Sequence, residues 1–149
     1  HAGRYVVWFA ALGDAPDLGS RPPGPWPTAL PHLDPDGVMT LRDASGPSHR
    51  HRWGFAQPSD DAPIVGPEAL GAIVVPGRIF DRAGVRLGRG GGHYDRLLAI
   101  VDRRIPAIGV APAERIVERV PRDAHDVAMT HLATEDGVID VGTAAAPGL

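Results

Sequence analysis

The run at residues 71–75 (GAIVV), closed by Pro76-Gly77, constrains the fold more than any other part of this sequence. An apolar, β-branched stretch with no polar interruption suits a strand buried on both faces, the habit of central strands in parallel sheets. Beyond it, helical and strand patterns alternate. Tyr94, Leu97, Leu98 and Val101 fall at i, i+3, i+4 and i+7, one apolar helical face. Residues 105–110 read as the next strand. Pro112 then opens a second helix at its first position, with Ala113, Ile116, Val117 and Val120 on one face. Residues 127–133 and 138–141 read as closing strands. The alternation predicts an α/β fold with a mainly parallel sheet flanked by helices.

Proline rules the first half. Eleven of the 16 prolines fall within the first 70 residues, so residues 16–35 are expected to be irregular and free of helix. Residues 4–12 (RYVVWFAAL) suit a short buried strand, and 37–42 another after the Asp36-Gly37 turn signal. The expectation is one domain over residues 1–149, with a loose tail at 143–149.

Composition narrows the chemistry. Hydrophobic residues make up 43% and charged ones 22%, the balance of a globular chain. There is no cysteine, which excludes disulfides, thiolate nucleophiles and cysteine-ligated metal, and suits a reducing cytosol. All 15 basic residues are Arg, so a Lys-dependent phosphate loop and Schiff-base chemistry are excluded as well. Any anion must be held by Arg and backbone N–H groups. A net charge of -3 offers nucleic acid no overall attraction. No apolar run is long enough to span a bilayer, and no basic-then-apolar leader opens the sequence. The expectation is a cytoplasmic monomer without nucleic-acid or membrane partners.

The chemistry concentrates between residues 75 and 96, at the C-terminal end of the GAIVV strand, where open α/β sheets place their ligands. Asp81-Arg82-Ala83-Gly84 fits a type I turn. Gly88, Gly90, Gly91 and Gly92 come next, within five residues. Such a run can turn successive N–H groups into one concavity, an anion nest, at the positive end of the helix that begins next. Seven Arg against three Asp between positions 78 and 104 make the segment locally positive. Arg86 and Arg89 flank the nest and can hold phosphate oxygens with bidentate hydrogen bonds. Asp95 could carry a divalent cation there, although an acid at that position also serves the helix dipole. The spacing is not G-x-G-x-x-G, because position 93 is His.

Written as P-G-x-x-F-D-x-x-G-x-R-L-G-x-G-G-G-x-Y-D-R, residues 76–96 resemble the signature of the 5-formyltetrahydrofolate cyclo-ligase family, also called methenyltetrahydrofolate synthetases. Residues 52–58 (RWGFAQP) resemble the family's aromatic-Gly-x-x-acid/amide-Pro turn, and residues 121–126 (PRDAHD) its late Pro-x-x-x-His-Asp segment. The resemblance implies a three-layer α/β/α sandwich. It implies ATP-dependent closure of 5-formyltetrahydrofolate, with or without a polyglutamate tail, to 5,10-methenyltetrahydrofolate through a phosphorylated formyl intermediate. ATP and Mg2+ are the implied cofactors. The implied ATP loop is Arg86, Gly88, Arg89, Gly90, Gly91, Gly92, His93 and Tyr94, with Arg89 and His93 in the chemistry. Gly91, His93 and Trp53 would meet the folate, and Asp95 and Asp126 the magnesium. Trp53 reads equally as a core aromatic, and Asp126 as an acid at the start of a strand pairing with Arg122.

The sequence departs from the family pattern in several places. The family's N-terminal basic helix reaches the ATP phosphates; this sequence starts after it or has lost it, so residues 1–149 alone are expected to bind ATP but turn over poorly. Ala15 stands where a folate-binding acid is usual, with Asp14 one position early, and the Pro-rich stretch at 19–31 replaces a helix. His93 replaces a Tyr; it could donate to the formyl oxygen or a phosphate, or be a neutral surface change. Gly91 stands where some members carry Lys. His49-x-His51 lacks a third ligand and reads as a solvated loop. Two readings stay open: an active cyclo-ligase, and a divergent non-catalytic member that binds nucleotide or folate through the retained loop.

Overall fold

The computed structural model describes residues 4–9, 18–19, 22–88, 92–122 and 126–141. It divides into two compact units, His1–Ile73 and Val74–Leu149. Strand β6 (Leu70–Pro76), which contains the GAIVV run, crosses the boundary.

In the first unit β6 begins the strand order β6-β1-β2-β3, with β1 (Tyr5–Val7), β2 (Thr28–Leu33) and β3 (Met39–Asp43). Strand β1 runs parallel to both neighbours, pairing Val7 with Ala29 and with Ile73, while β2 and β3 are antiparallel. Val7, Ala29, Leu70 and Ile73 are fully buried, so the short apolar runs do form the core. A hairpin of β4 (Ser48–Arg50) and β5 (Ala56–Pro58) completes the unit.

Strand β2 corrects the expectation that residues 16–35 are irregular. It accommodates Pro31 because of register. Thr28 accepts from the Ala44 N–H and Asp34 donates to Val38 at the two ends of the ladder, so even-numbered residues of β2 exchange hydrogen bonds with β3. Pro31, opposite Leu41, points its missing N–H the other way, beyond the stretch of β2 that pairs with β1. A proline costs least where no ladder bond is lost.

The second unit takes the end of β6 into the order β6-β9-β11-β12, with β9 (Ala107–Val110), β11 (His131–Thr134) and β12 (Gly137–Asp140). β9 and β11 are parallel, and β11–β12 is a closing hairpin. Helix α1 (His93–Ile100) buries Leu97 and Leu98, with Val101 buried just beyond it, as the apolar spacing required. A smaller sheet orders β10-β7-β8, from β7 (Ile79–Asp81), β8 (Arg86–Leu87) and β10 (Ile116–Val117).

The second helix expected after Pro112 does not form. Ala113–Arg115 makes one 3-10 turn, and Ile116 and Val117 then pair with Phe80 and Asp81 of β7. Adjacent β-branched residues are weak helix formers, and a waiting strand edge supplies the backbone partners a helix would have supplied internally. The fold class is as expected, α/β with a large, mainly parallel sheet, but helices are fewer than the alternation suggested, one α-helix among the described residues. The tail at 143–149 lies outside the described residues. Among the described residues no helix is long and apolar enough to cross a membrane.

Candidate active site

The loop that leaves β6 is built on buried anchors. Phe80 is fully buried and lies against two glycines: a Cβ at Gly77 would stand 2.7 Å, and at Gly109 2.5 Å, from its ring. Next to it Asp81 organises the turn foreseen at 81–84. One carboxylate oxygen accepts the N–H groups of Ala83 and Val85, each at 3.0 Å, and the other accepts Val120 at 3.0 Å. Gly84 takes φ +84°, and its C=O accepts the Met129 N–H at 2.8 Å, so no side chain fits between the two backbones.

The rigid hairpin delivers Arg86. Its side chain is 12% exposed. Nε donates to the Pro76 carbonyl at 2.8 Å and Nη1 to Asp95 Oδ1 at 3.4 Å, while Cζ lies 5.3 Å from the centre of the Tyr94 ring. The Nη2 edge rests against Gly88, where a Cβ would stand 2.7 Å away. Burial pushes the guanidinium below its usual pKa, and the charges of Asp95 and Asp126 act in the opposite sense. Burial likewise pushes the Tyr94 phenol up, which keeps it a neutral donor. Gly92 ends the loop at φ +69° and offers α1 no side-chain cap, and His93 and Asp95 sit in the first helical turn.

The structure thus gathers Arg86, Gly88, Gly92, His93, Tyr94 and Asp95 into one segment and brings the charge of Asp126 to bear on Arg86. Arg89, Gly90 and Gly91 lie outside the described residues, as do Asp14 and Ala15. Trp53 belongs to the first unit. It is 56% exposed on the turn of the β4–β5 hairpin, edge-on to His51 at 4.9 Å, with the Arg52 guanidinium 5.8 Å from its ring centre. That exposure rules out the core-aromatic reading. Sequence reasoning missed Asp81 as the anchor. Its turn bonds were readable from the D-x-x-G spacing, but the bond to Val120 spans 39 residues.

A family model described as the 5-formyltetrahydrofolate cyclo-ligase family matches residues 27–135. The 5-formyltetrahydrofolate cyclo-ligase of Mycolicibacterium smegmatis is 34% identical over 89% of this chain and 74% of its own length. The mouse cyclo-ligase is 34% identical over 56% of this chain and 45% of its own. The NMR structure of the 5,10-methenyltetrahydrofolate synthetase of Aquifex aeolicus superimposes with a TM-score of 0.75 at 29% identity, covering 93% of this chain and 72% of that one. The chain belongs to the 5-formyltetrahydrofolate cyclo-ligase family.

Proposed function

We propose that this chain converts 5-formyltetrahydrofolate to 5,10-methenyltetrahydrofolate with ATP, using the segment from Arg86 to Asp95 as its phosphate site. The observation that carries the reading is the setting of Arg86: a nearly buried guanidinium with one edge on a glycine and acids at the other. An anion meeting that edge is held where water competes poorly. The donor set also fits a hard cation, since Asp95 and Asp126 supply the one or two carboxylates that magnesium usually takes from protein beside phosphates.

In the reaction the formyl oxygen attacks the γ-phosphorus and ADP leaves, giving a phosphorylated imidate-like carbon. N10 of the folate attacks that carbon, phosphate departs, and the five-membered ring closes. Such a transfer needs positioning and charge neutralisation rather than covalent help from protein. Arg86 neutralises from the loop side, and backbone N–H groups at Gly88 and Gly92 approach without a Cβ in the way. Bound magnesium would add charge neutralisation at the phosphate oxygens, held by Asp95 and Asp126. His93, in the first turn of α1, would donate toward the formyl group.

The test is appearance of the methenyl product by its near-ultraviolet absorbance, with wild type and Asp95→Asn. Turnover that depends on ATP and magnesium and is lost in Asp95→Asn, while ATP binding persists, supports the reading. ATP binding without turnover in wild type would replace it with the non-catalytic one. Full activity in Asp95→Asn would remove Asp95 from the site.

A further inference from the structure

The first unit holds a second cluster of ligating side chains, unrelated to the loop. His32 comes from β2, His49 from β4 and Asp60 from the turn after β5. His32 Nε2 lies 2.7 Å from Asp60 Oδ1, and His49 Nε2 lies 4.0 Å from the same oxygen. One ligating atom from each of the three falls within 4.8 Å of the others, and the two imidazoles meet edge to face at 6.2 Å. His49 therefore has its partners across the strands. His51, two residues on, faces elsewhere and stacks on Phe55 at 4.6 Å.

Gln57 sets the state of His49. Its side-chain oxygen accepts the Leu33 N–H at 3.0 Å and its nitrogen donates to the Leu33 carbonyl at 3.2 Å, so the backbone of β2 fixes which way the amide points. The same nitrogen faces His49 Nε2 at 3.1 Å and can only donate. His49 Nε2 is then the unprotonated nitrogen, as a metal ligand must be, and a cation would take its lone pair in exchange for the Gln57 bond. His32 is 2% exposed, and its Nδ1 has no hydrogen-bond partner. Its Nε2 faces a carboxylate that can only accept, so it donates to Asp60, and a cation held between the two would replace that proton. The Asp60 side chain is 85% exposed, so an ion can enter from solvent.

We propose that His32, His49 and Asp60 bind a borderline-soft divalent cation of the zinc type, which clips the β4–β5 hairpin to β2. Two imidazoles and one carboxylate are a common three-ligand zinc set, with water as the fourth ligand. Magnesium prefers oxygen donors and would go instead to carboxylates such as Asp95 and Asp126. The proposal stands independently of the phosphate site.

Equilibrium dialysis and thermal melting with zinc or magnesium test it on the full chain. Wild type should take up zinc and melt at a higher temperature with it, and magnesium should not displace it. His49→Ala and Asp60→Asn change exposed side chains, so both should fold, with zinc affinity down more than about tenfold and the thermal shift lost. His51→Ala and Asp95→Asn should leave zinc binding intact. No zinc uptake by wild type, undiminished uptake in both His49→Ala and Asp60→Asn, or loss on His51→Ala would overturn the site.

Discussion

Arg86 is a charge taken mostly out of water, and every contact it makes depends on the planar shape of its guanidinium. Nε and Nη1 donate to Pro76 and Asp95, and Cζ sits over the Tyr94 ring. Lysine keeps the charge but not the fork. Arg86→Lys should therefore weaken ATP–magnesium binding by about 1.5–3 kcal/mol, the range for a hydrogen bond to a charged group. Calorimetric titration reads it. An unchanged affinity would mean that point charge alone is used and that the oriented edge beside Gly88 is incidental. The loop was legible in the sequence because its residues are contiguous and only glycine or arginine suits several of its positions. The effect of Asp126 on Arg86 was not legible as geometry, because the two are far apart in sequence, and only the family resemblance singled out Asp126.

At the scale of elements one device recurs. The turns at 34–37, 51–54 and 81–84 share a pattern in which the fourth N–H bonds to the first C=O at 2.9, 2.8 and 2.9 Å, and the first N–H bonds to the fifth C=O at 3.1, 2.8 and 3.0 Å. Gly37, Gly54 and Gly84 occupy the fourth place with φ of +82°, +99° and +84°, the left-handed position of a three-residue hairpin loop. Asp34 and Asp81 also cap their turns alike, each accepting the N–H groups two and four residues on. They differ in burial and in one bond, since Asp81 is 4% exposed and alone accepts from Val120. Asp34→Ala should cost about 1 kcal/mol, whereas Asp81→Ala, which strands buried N–H groups, should cost about 3 kcal/mol or more. Urea unfolding of the two variants compares them directly; equal losses would show that burial adds nothing to this cap. Local spacing made two of these turns readable, at Asp36-Gly37 and Asp81–Gly84. The segment 112–120 was misread because its helical periodicity covers too few residues to outweigh a strand partner far away in sequence. Strand β2 was missed because proline frequency hides which side of a strand each proline faces.

For the molecule as a whole, the absence of lysine makes acid the informative direction. Fifteen guanidinium groups stay charged at any accessible pH, so on acidification the 18 carboxylates and seven histidines do all the titrating. Asp43 is held below the usual carboxylate range, first by the Ser45 hydroxyl and then by Tyr5, whose hydroxyl donates to Asp43 Oδ2 at 2.5 Å. That bond joins β1 to β3 across β2 and pushes the Tyr5 phenol up in turn. A carboxylate with a depressed native pKa stabilises the fold above its unfolded value of about 3.9, and the contribution is lost as pH falls through the lower native value. Asp43 is only half-buried, so solvent screening trims the effect. Tyr5→Phe should accordingly destabilise the protein by about 0.5–1 kcal/mol at pH 7. The gap between variant and wild type should narrow as pH drops below about 3.9, because protonated Asp43 no longer gains from the phenol as an anion does. Urea midpoints measured from pH 7 down to pH 3 track it. A gap that holds constant over that range would place the role of the hydroxyl in packing between strands, and the charge of Asp43 would then have no part in holding β3 to β1.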